Sequence, residues 1–291
     1  METIGIVGLG LLGHAVASRL IHAKYSVVGY DVVPEKVRAL ADIGGRAAQS
    51  VAEVDTLADA ICFVLPSLAS VEETILGLGH DVARPGRPVI QMSTISPALT
   101  EKLARAVTGR GRRFLDCPIS GTSAQVERGD GIVLVGGDPG DFDRWRAVLE
   151  SVLPRAYYVG TAGQAMLLKL IANLLVALHS AAAAEALSMA RRGGLDPARA
   201  LEILIASAAN SKMLEVRGPS IVRGEFPAQM KLELFMKDLH LIQDAARSTG
   251  APLPLTDVAE RLYATVYEAG HGGEDLSVVV KAFEDLRSKE T

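Results

Sequence analysis

The chain is 291 residues long, 49% apolar and 22% charged, with a net charge of -4 and a pI near 5.9. That length accommodates one large or two ordinary domains, and the composition excludes a disordered or fibrous chain. No long Lys/Arg run occurs, so the electrostatic footprint of a nucleic-acid binder is missing. Cys62 and Cys117 each lie in an apolar stretch. They suggest neither a disulfide framework nor a metal site, which fits a reducing cytoplasm.

The segment Met1 to Val7 has no basic n-region or cleavage site and is read as a first strand, not a secretory leader. From there the first half alternates short β-type runs with helical patterns. Strands are predicted at Thr3 to Val7, Ser26 to Asp31, Ala60 to Leu65, Pro88 to Met92, Arg113 to Asp116, Ile132 to Val135 and Ala156 to Val159. Helices are predicted at Leu12 to Ala23, Pro34 to Asp42, Ser70 to Gly77, Pro97 to Thr108 and Asp141 to Leu153. Such βαβ alternation predicts a doubly wound α/β domain with a parallel sheet covered on both faces.

Beyond about Gly163 the β signals stop, and the pattern predicts an all-helical C-terminal domain. The expected division is 1–162 for the α/β domain and 163–291 for a helical domain that serves substrate binding and oligomerisation. Its helices are predicted at Gln164 to Arg192, Pro197 to Ala206, Leu214 to Arg223, Met230 to Thr249, Leu255 to Ala269 and Leu276 to Ser288. Gly193-Gly194 ends one helix, Asp196-Pro197 opens the next, and Gly250 with Pro252 and Pro254 separates two more. The first of these helices is the most apolar segment of the chain. Lys169, Asn173, His179, Ser180 and Glu185 interrupt it, so it is read as a deeply packed helix and not as a membrane span. Its apolar surface exceeds what a small helical domain covers, which predicts a homodimer or homotetramer.

Immediately after the first strand stands Gly8-Leu9-Gly10-Leu11-Leu12-Gly13, a G-x-G-x-x-G where strand must turn into helix. The three glycines serve the turn, the approach of a pyrophosphate to the main chain, and close helix packing; the helix N-terminus then faces the anion. The second strand ends at Asp31, where a carboxylate accepts hydrogen bonds from an adenosine ribose. It would repel the 2′-phosphate of NADP, and Val32-Val33 offers no neutralising cation, so NAD is expected over NADP. FAD domains share the fingerprint, so the turn alone leaves the chemistry open. Lys169 is the only Lys or Arg between Gln164 and Ala190. An ammonium in such a helix either snorkels to solvent or sits desolvated with its pKa brought toward the range of proton transfer. Asn173, four residues on, projects from the same helix face. His179 and Glu185 have no metal-ligand spacing, and no metal is expected.

Taken together these motifs resemble the β-hydroxyacid dehydrogenases, the family of 3-hydroxyisobutyrate dehydrogenase and tartronate semialdehyde reductase. The glycine turn is similar to the family's, with Leu12 where Met is usual. Asp116-Cys117-Pro118-Ile119-Ser120-Gly121-Thr122 resembles the substrate motif D-A-P-V-S-G-G, Gly163-Gln164 with Lys169 to Asn173 the catalytic helix, and Lys237-Asp238-Leu239 a cofactor-contacting motif. The resemblance implies a Rossmann-type N-terminal domain and a dehydrogenase that moves a hydride between NAD(H) and a small anionic 3-hydroxyacid or semialdehyde acid. It implies Lys169 as general acid/base, Ser120, Gly121 and Thr122 at the substrate carboxylate, and Asn173 as a substrate contact. Gly8, Gly10, Leu11, Leu12, Gly13, Asp31, Leu65, Pro66, Thr94 and Lys237 would contact the dinucleotide. Thr122 replaces a glycine and predicts a smaller or more polar pocket. The loop Thr122-Ser123-Ala124 is similar to that of sulfolactaldehyde reductases, whose arginine is replaced here by Gly121. Competing readings are a reductase of glyoxylate, succinic semialdehyde, sulfolactaldehyde or an imine, and a non-catalytic NAD-binding protein; Lys169 argues against imine reduction, and Lys169 together with Asn173 against the non-catalytic protein.

Overall fold

The computed structural model describes residues 2–79 and 86–285. Two compact units divide at Lys169/Leu170. The first is built on one sheet of β1 (Thr3–Val7), β2 (Ser26–Tyr30), β3 (Arg46–Ala47), β4 (Ala60–Phe63), β5 (Pro88–Gln91), β6 (Arg113–Asp116), β7 (Ile119–Ser120), β8 (Ile132–Gly137) and β9 (Ala156–Gly160). Strand order is β3-β2-β1-β4-β5-β6-β8-β7, with β9 beside β8. The order reverses between β1 and β4, the crevice where such sheets bind nucleotides.

Helices α1 (Leu11–His22), α2 (Pro34–Asp42), α3 (Val51–Leu57), α4 (Leu68–Leu76), α5 (Pro97–Thr108), α6 (Ser123–Glu127) and α7 (Pro139–Val152) connect the strands. Their placement follows from the period-2 alternation of strands buried on both faces. Ile4, Ile6, Cys62, Ile90 and Leu115 pack on one face with α1 and α7. Val7, Ile61, Phe63, Val89 and Phe114 pack on the other with Val54 of α3, Ile75 of α4 and Leu103 of α5.

The expected all-parallel sheet holds through β6 and then changes. β8 runs antiparallel to β6 and to β7, with Ile119 opposite Val133 and Ser120 opposite Ile132. The change is local: the connection from β6 to β8 carries β7, which pairs antiparallel with β8, and the five-residue α6. The sequence reading passed over β3, β7, α3 and α6, each too short to show a period.

The second unit takes most of α8 (Gln164–Arg192), then α9 (Pro197–Ala206), α10 (Lys212–Arg223), α11 (Leu232–Thr249), α12 (Pro254–Val266) and α13 (Val280–Asp285). Phe235 of α11 and Tyr263 of α12 meet edge to face, and the Tyr263 hydroxyl donates to the Ala177 carbonyl of α8. Two expected helices are shorter than read. The sixth helical run opens as a 3-10 turn, Leu276–Val279, and its predicted end at Ser288 lies outside the described residues. The fifth stops at Val266 and passes into a π turn, Tyr267–His271, kinked at Gly270, whose φ is +93°.

Helix α8 is long and apolar enough to cross a membrane by length and composition alone. Its burial is one-sided: Met166, Leu170, Asn173, Ala177 and Ala184 are buried, while Leu168, Ile171 and Leu175 are exposed. The expected deep packing therefore applies to one face of it.

Candidate active site

Each glycine of the first turn has its own physical reason. Gly8 has a φ of +94°, and a Cβ there would lie 2.2 Å from the Val64 carbonyl oxygen. A Cβ on Gly13 would lie 1.9 Å from the Gly8 carbonyl oxygen, which is how closely α1 approaches β1. A Cβ on Gly10 would meet nothing within 4 Å. Gly10 is the N-cap of α1 and brings no side chain to the first-turn N–H groups. An open glycine at an uncapped helix N-terminus fits a pyrophosphate. Leu11 is exposed beside it, whereas the Leu12 side chain packs on the core.

Asp31 locks this turn to the end of β2. Its Oδ2 accepts the Leu9 N–H at 2.8 Å and its Oδ1 accepts the Val33 N–H at 2.9 Å. Lys36 Nζ stands 3.5 Å from Oδ2, a cation the sequence reading did not place because it lies on α2 beyond Val32-Val33. The Gly8 turn also abuts Leu65, and the Leu65 N–H donates to Ser93 Oγ at 2.8 Å. Buried Gln91 holds Ser93 in turn, donating to its carbonyl at 2.8 Å and accepting its N–H. This network, which sequence reasoning missed, fixes the loop of Leu65 and exposed Pro66 against the one bearing Thr94. Ser96 caps α5 by accepting the Leu99 N–H.

Ser120 ends β7 and Gly121 follows, both partly exposed. Thr122 is the N-cap of α6. Its N–H and hydroxyl both donate to Gln125 Oε1, at 2.9 and 3.1 Å, and its Oγ1 accepts the Gln125 N–H. Its polar groups are thus committed to the loop itself, and of the two effects expected from this residue only the added methyl remains for a ligand. Upstream in the same motif, Asp116 is fully buried at the end of β6. Its Oδ2 accepts the N–H groups of Gly163 and Met166 at 3.1 and 3.0 Å. Burial pushes its pKa up to about 7 against the pull of those two donors. Burial also pushes the Cys62 thiol up to about 12 and Cys117 well above its ordinary value, with Asp116 and Cys62 adding to the latter. Neither is a thiolate at neutral pH, so neither is a nucleophile.

Lys169 is only 7% exposed, on α8. The snorkelling alternative therefore does not describe it. Asn173, one turn further along, is buried, and its Nδ2 donates to Asp238 Oδ2 at 2.8 Å. Lys237 Nζ stands 3.4 Å from Asp238 Oδ1. Within the helical unit Asp238 therefore joins two residues the sequence had singled out separately. It was visible only as the middle letter of Lys237-Asp238-Leu239, because its partner is 65 positions away.

A glycine turn at the switch point of a parallel sheet marks a dinucleotide-binding domain, the class of domain that nicotinamide-dependent dehydrogenases carry. Comparisons with known proteins agree. Residues 3–160 match the NAD binding domain of 6-phosphogluconate dehydrogenase. Residues 162–283 match the NAD-binding domain of NADP-dependent 3-hydroxyisobutyrate dehydrogenase. L-threonate dehydrogenase of Cupriavidus necator is 34% identical over 285 residues, covering 97% of this chain and 96% of its own. The 2-hydroxy-3-oxopropionate reductase of Escherichia coli is 30% identical, covering 97% of both. A crystal structure of 3-hydroxyisobutyrate dehydrogenase from Salmonella typhimurium superposes with a TM-score of 0.86 at 32% identity, covering 97% of this chain and 99% of that one. The chain belongs to the β-hydroxyacid dehydrogenase family.

Proposed function

We propose that the protein interconverts a small 3-hydroxyacid and its semialdehyde acid with NAD(H), preferring NAD over NADP. The observation that carries the reading is a lysine 7% exposed on a helix whose next turn presents Asn173, itself held by Asp238. A bound nicotinamide supplies the acceptor or donor of hydride. The chain's own part is the proton: in oxidation the neutral Lys169 amine takes the hydroxyl proton at Nζ, and in reduction the ammonium returns it. The Ser120 hydroxyl and the Gly121 N–H hold the substrate carboxylate, Thr122 narrows the loop with its methyl, and Asn173 fixes the hydroxyl. The glycine turn takes the pyrophosphate, Asp31 the ribose, and Leu65, Pro66, Thr94 and Lys237 complete the cofactor contacts.

Asp31, whose carboxylate repels a 2′-phosphate, supports NAD as the working cofactor. Residues 1–162 serve as the cofactor domain and 163–291 as the substrate and oligomerisation domain. The exposed Leu168, Ile171 and Leu175 stripe of α8 supports a homodimer or homotetramer, and two free, buried cysteines fit a cytoplasmic location. L-threonate, itself a small hydroxyacid, belongs in the substrate panel with 3-hydroxyisobutyrate and tartronate semialdehyde. The test is Lys169→Ala across that panel: turnover drops by about two to four orders of magnitude while NADH still binds. Turnover within threefold of the parent would remove the mechanism.

A further inference from the structure

Lys169 can act only if the helix that carries it begins in the right place, and the start of that helix has an unusual support. The N-cap position of α8 is Gly163, with a φ of +93° and no side chain, so the helix cannot cap its own first turn. The capping oxygen comes instead from Asp116, 47 residues earlier. One atom, Oδ2, accepts the N–H of the cap residue Gly163 and that of Met166 in the first turn. Lys169 is three residues past Met166, about 4.5 Å along the helix axis.

The strand end that bears Asp116 is paired on both sides. β6 pairs with β5, placing Asp116 beside Gln91, and with β8, placing it opposite Gly136, while the next N–H, of Cys117, donates to the Gln91 carbonyl at 2.7 Å. Four residues beyond Asp116 comes Ser120, the first residue of the carboxylate loop. Met166 packs in the sheet core with Phe63, Val89 and Phe114, so its N–H is presented to Asp116 from a fixed side.

We infer that Asp116 is a positioning residue that sets the register of the acid/base helix against the strand leading into the substrate loop, through its Oδ2 on Gly163 and Met166. This rests on Lys169 being the acid/base. Asp116 touches neither proton nor hydride; its effect reaches the chemistry through the placement of the Lys169 amine, where displacements near 1 Å are costly. What Oδ2 supplies is an acceptor, and an amide oxygen supplies one too.

The experiment compares Asp116→Ala with Asp116→Asn in the full-length protein. It reads kcat per NADH-binding site, KM, the NADH dissociation constant, and hydrogen exchange of amides 163–172. Alanine is expected to lower kcat by about tenfold to a hundredfold, to keep NADH affinity within twofold, and to speed exchange at 163–172. Asparagine is expected to restore kcat and exchange to within threefold of the parent. Unchanged exchange in the alanine variant, faster exchange with unchanged kcat, or an asparagine variant that folds without recovering kcat would each overturn the inference. If alanine leaves no folded protein, Asp116→Leu, which fills the space without an acceptor, takes its place. Failure of both to fold would make Asp116 a folding determinant and overturn the positioning role. Lys169→Ala, assayed alongside for turnover and NADH binding, reports separately on the acid/base reading, because that variant keeps the Asp116 acceptor and its two N–H donors.

Discussion

Gly10 and Gly13 belong to one motif yet answer to different forces, and two alanine substitutions separate them. At Gly13 the new Cβ would sit 1.9 Å from the Gly8 carbonyl oxygen and 3.0 Å from its carbon, so backbone must yield by about 1 Å. Overpacking of that kind costs about 3 kcal/mol, equivalent to a Tm drop of roughly 6–12 °C for a protein of this size. At Gly10 the backbone already has a φ of -62° and a ψ of -174°, open to any residue, and the new Cβ meets nothing within 4 Å. Alanine there changes stability by no more than about 1 kcal/mol, because its weaker N-capping opposes the freedom the unfolded chain loses. The methyl instead occupies the space through which a pyrophosphate reaches the α1 N-terminus. NADH affinity should fall at least tenfold, about 1.4 kcal/mol. Thermal unfolding without cofactor and fluorescence titration with NADH measure both quantities. Should Gly10→Ala melt as early as Gly13→Ala while binding NADH normally, the division of labour argued from the two contacts is wrong.

Asp31→Ala should raise the NADPH-to-NADH ratio of kcat/KM at least tenfold, and Lys36→Ala should lower it, since Lys36 supplies the cation 3.5 Å from Asp31; unchanged ratios in both would remove Asp31 as the discriminator. In the helical unit Arg217 and Asp275 form a buried pair at 2.6 Å. Burial alone would raise the Asp275 pKa, but Arg217 together with the Met230 and Ser277 donors holds it below the ordinary carboxylate value. The stabilisation this gives is present above the unfolded value, near 3.9, and is lost as pH falls through the lower folded value. Asp275→Asn should therefore flatten the stability curve in that acid window, as read by urea midpoints between pH 2 and 6. Arg217→Met should cost about 3–5 kcal/mol at neutral pH by stranding the carboxylate.

Long periodic elements were legible in the chain itself. Val-, Ile- and Leu-rich runs alternating with helix-length patterns specify β1, β2, β4, β5 and the helices between them, because a strand buried on both faces must be apolar throughout. α8 was read with its ends correct, since Gln164 follows Gly163 and Arg192 precedes Gly193-Gly194. Short pieces were not: β7 and α6 contain too few residues for a period, and the antiparallel pairing of β7 with β8 is a contact between strands that no period records.

Local chemistry, then, is written along the chain: a glycine turn after a strand, an acid at the next strand end, a lysine and an amide one helical turn apart. These depend on neighbours within a few residues, whose geometry backbone sterics dictate. Which distant group completes each of them was decided only by tertiary packing. Asp116 reaching Gly163 and Asp238 reaching Asn173 are hydrogen-bonding contacts between elements. Such forces act through space over a few ångströms, and spacing along the backbone carries no record of them.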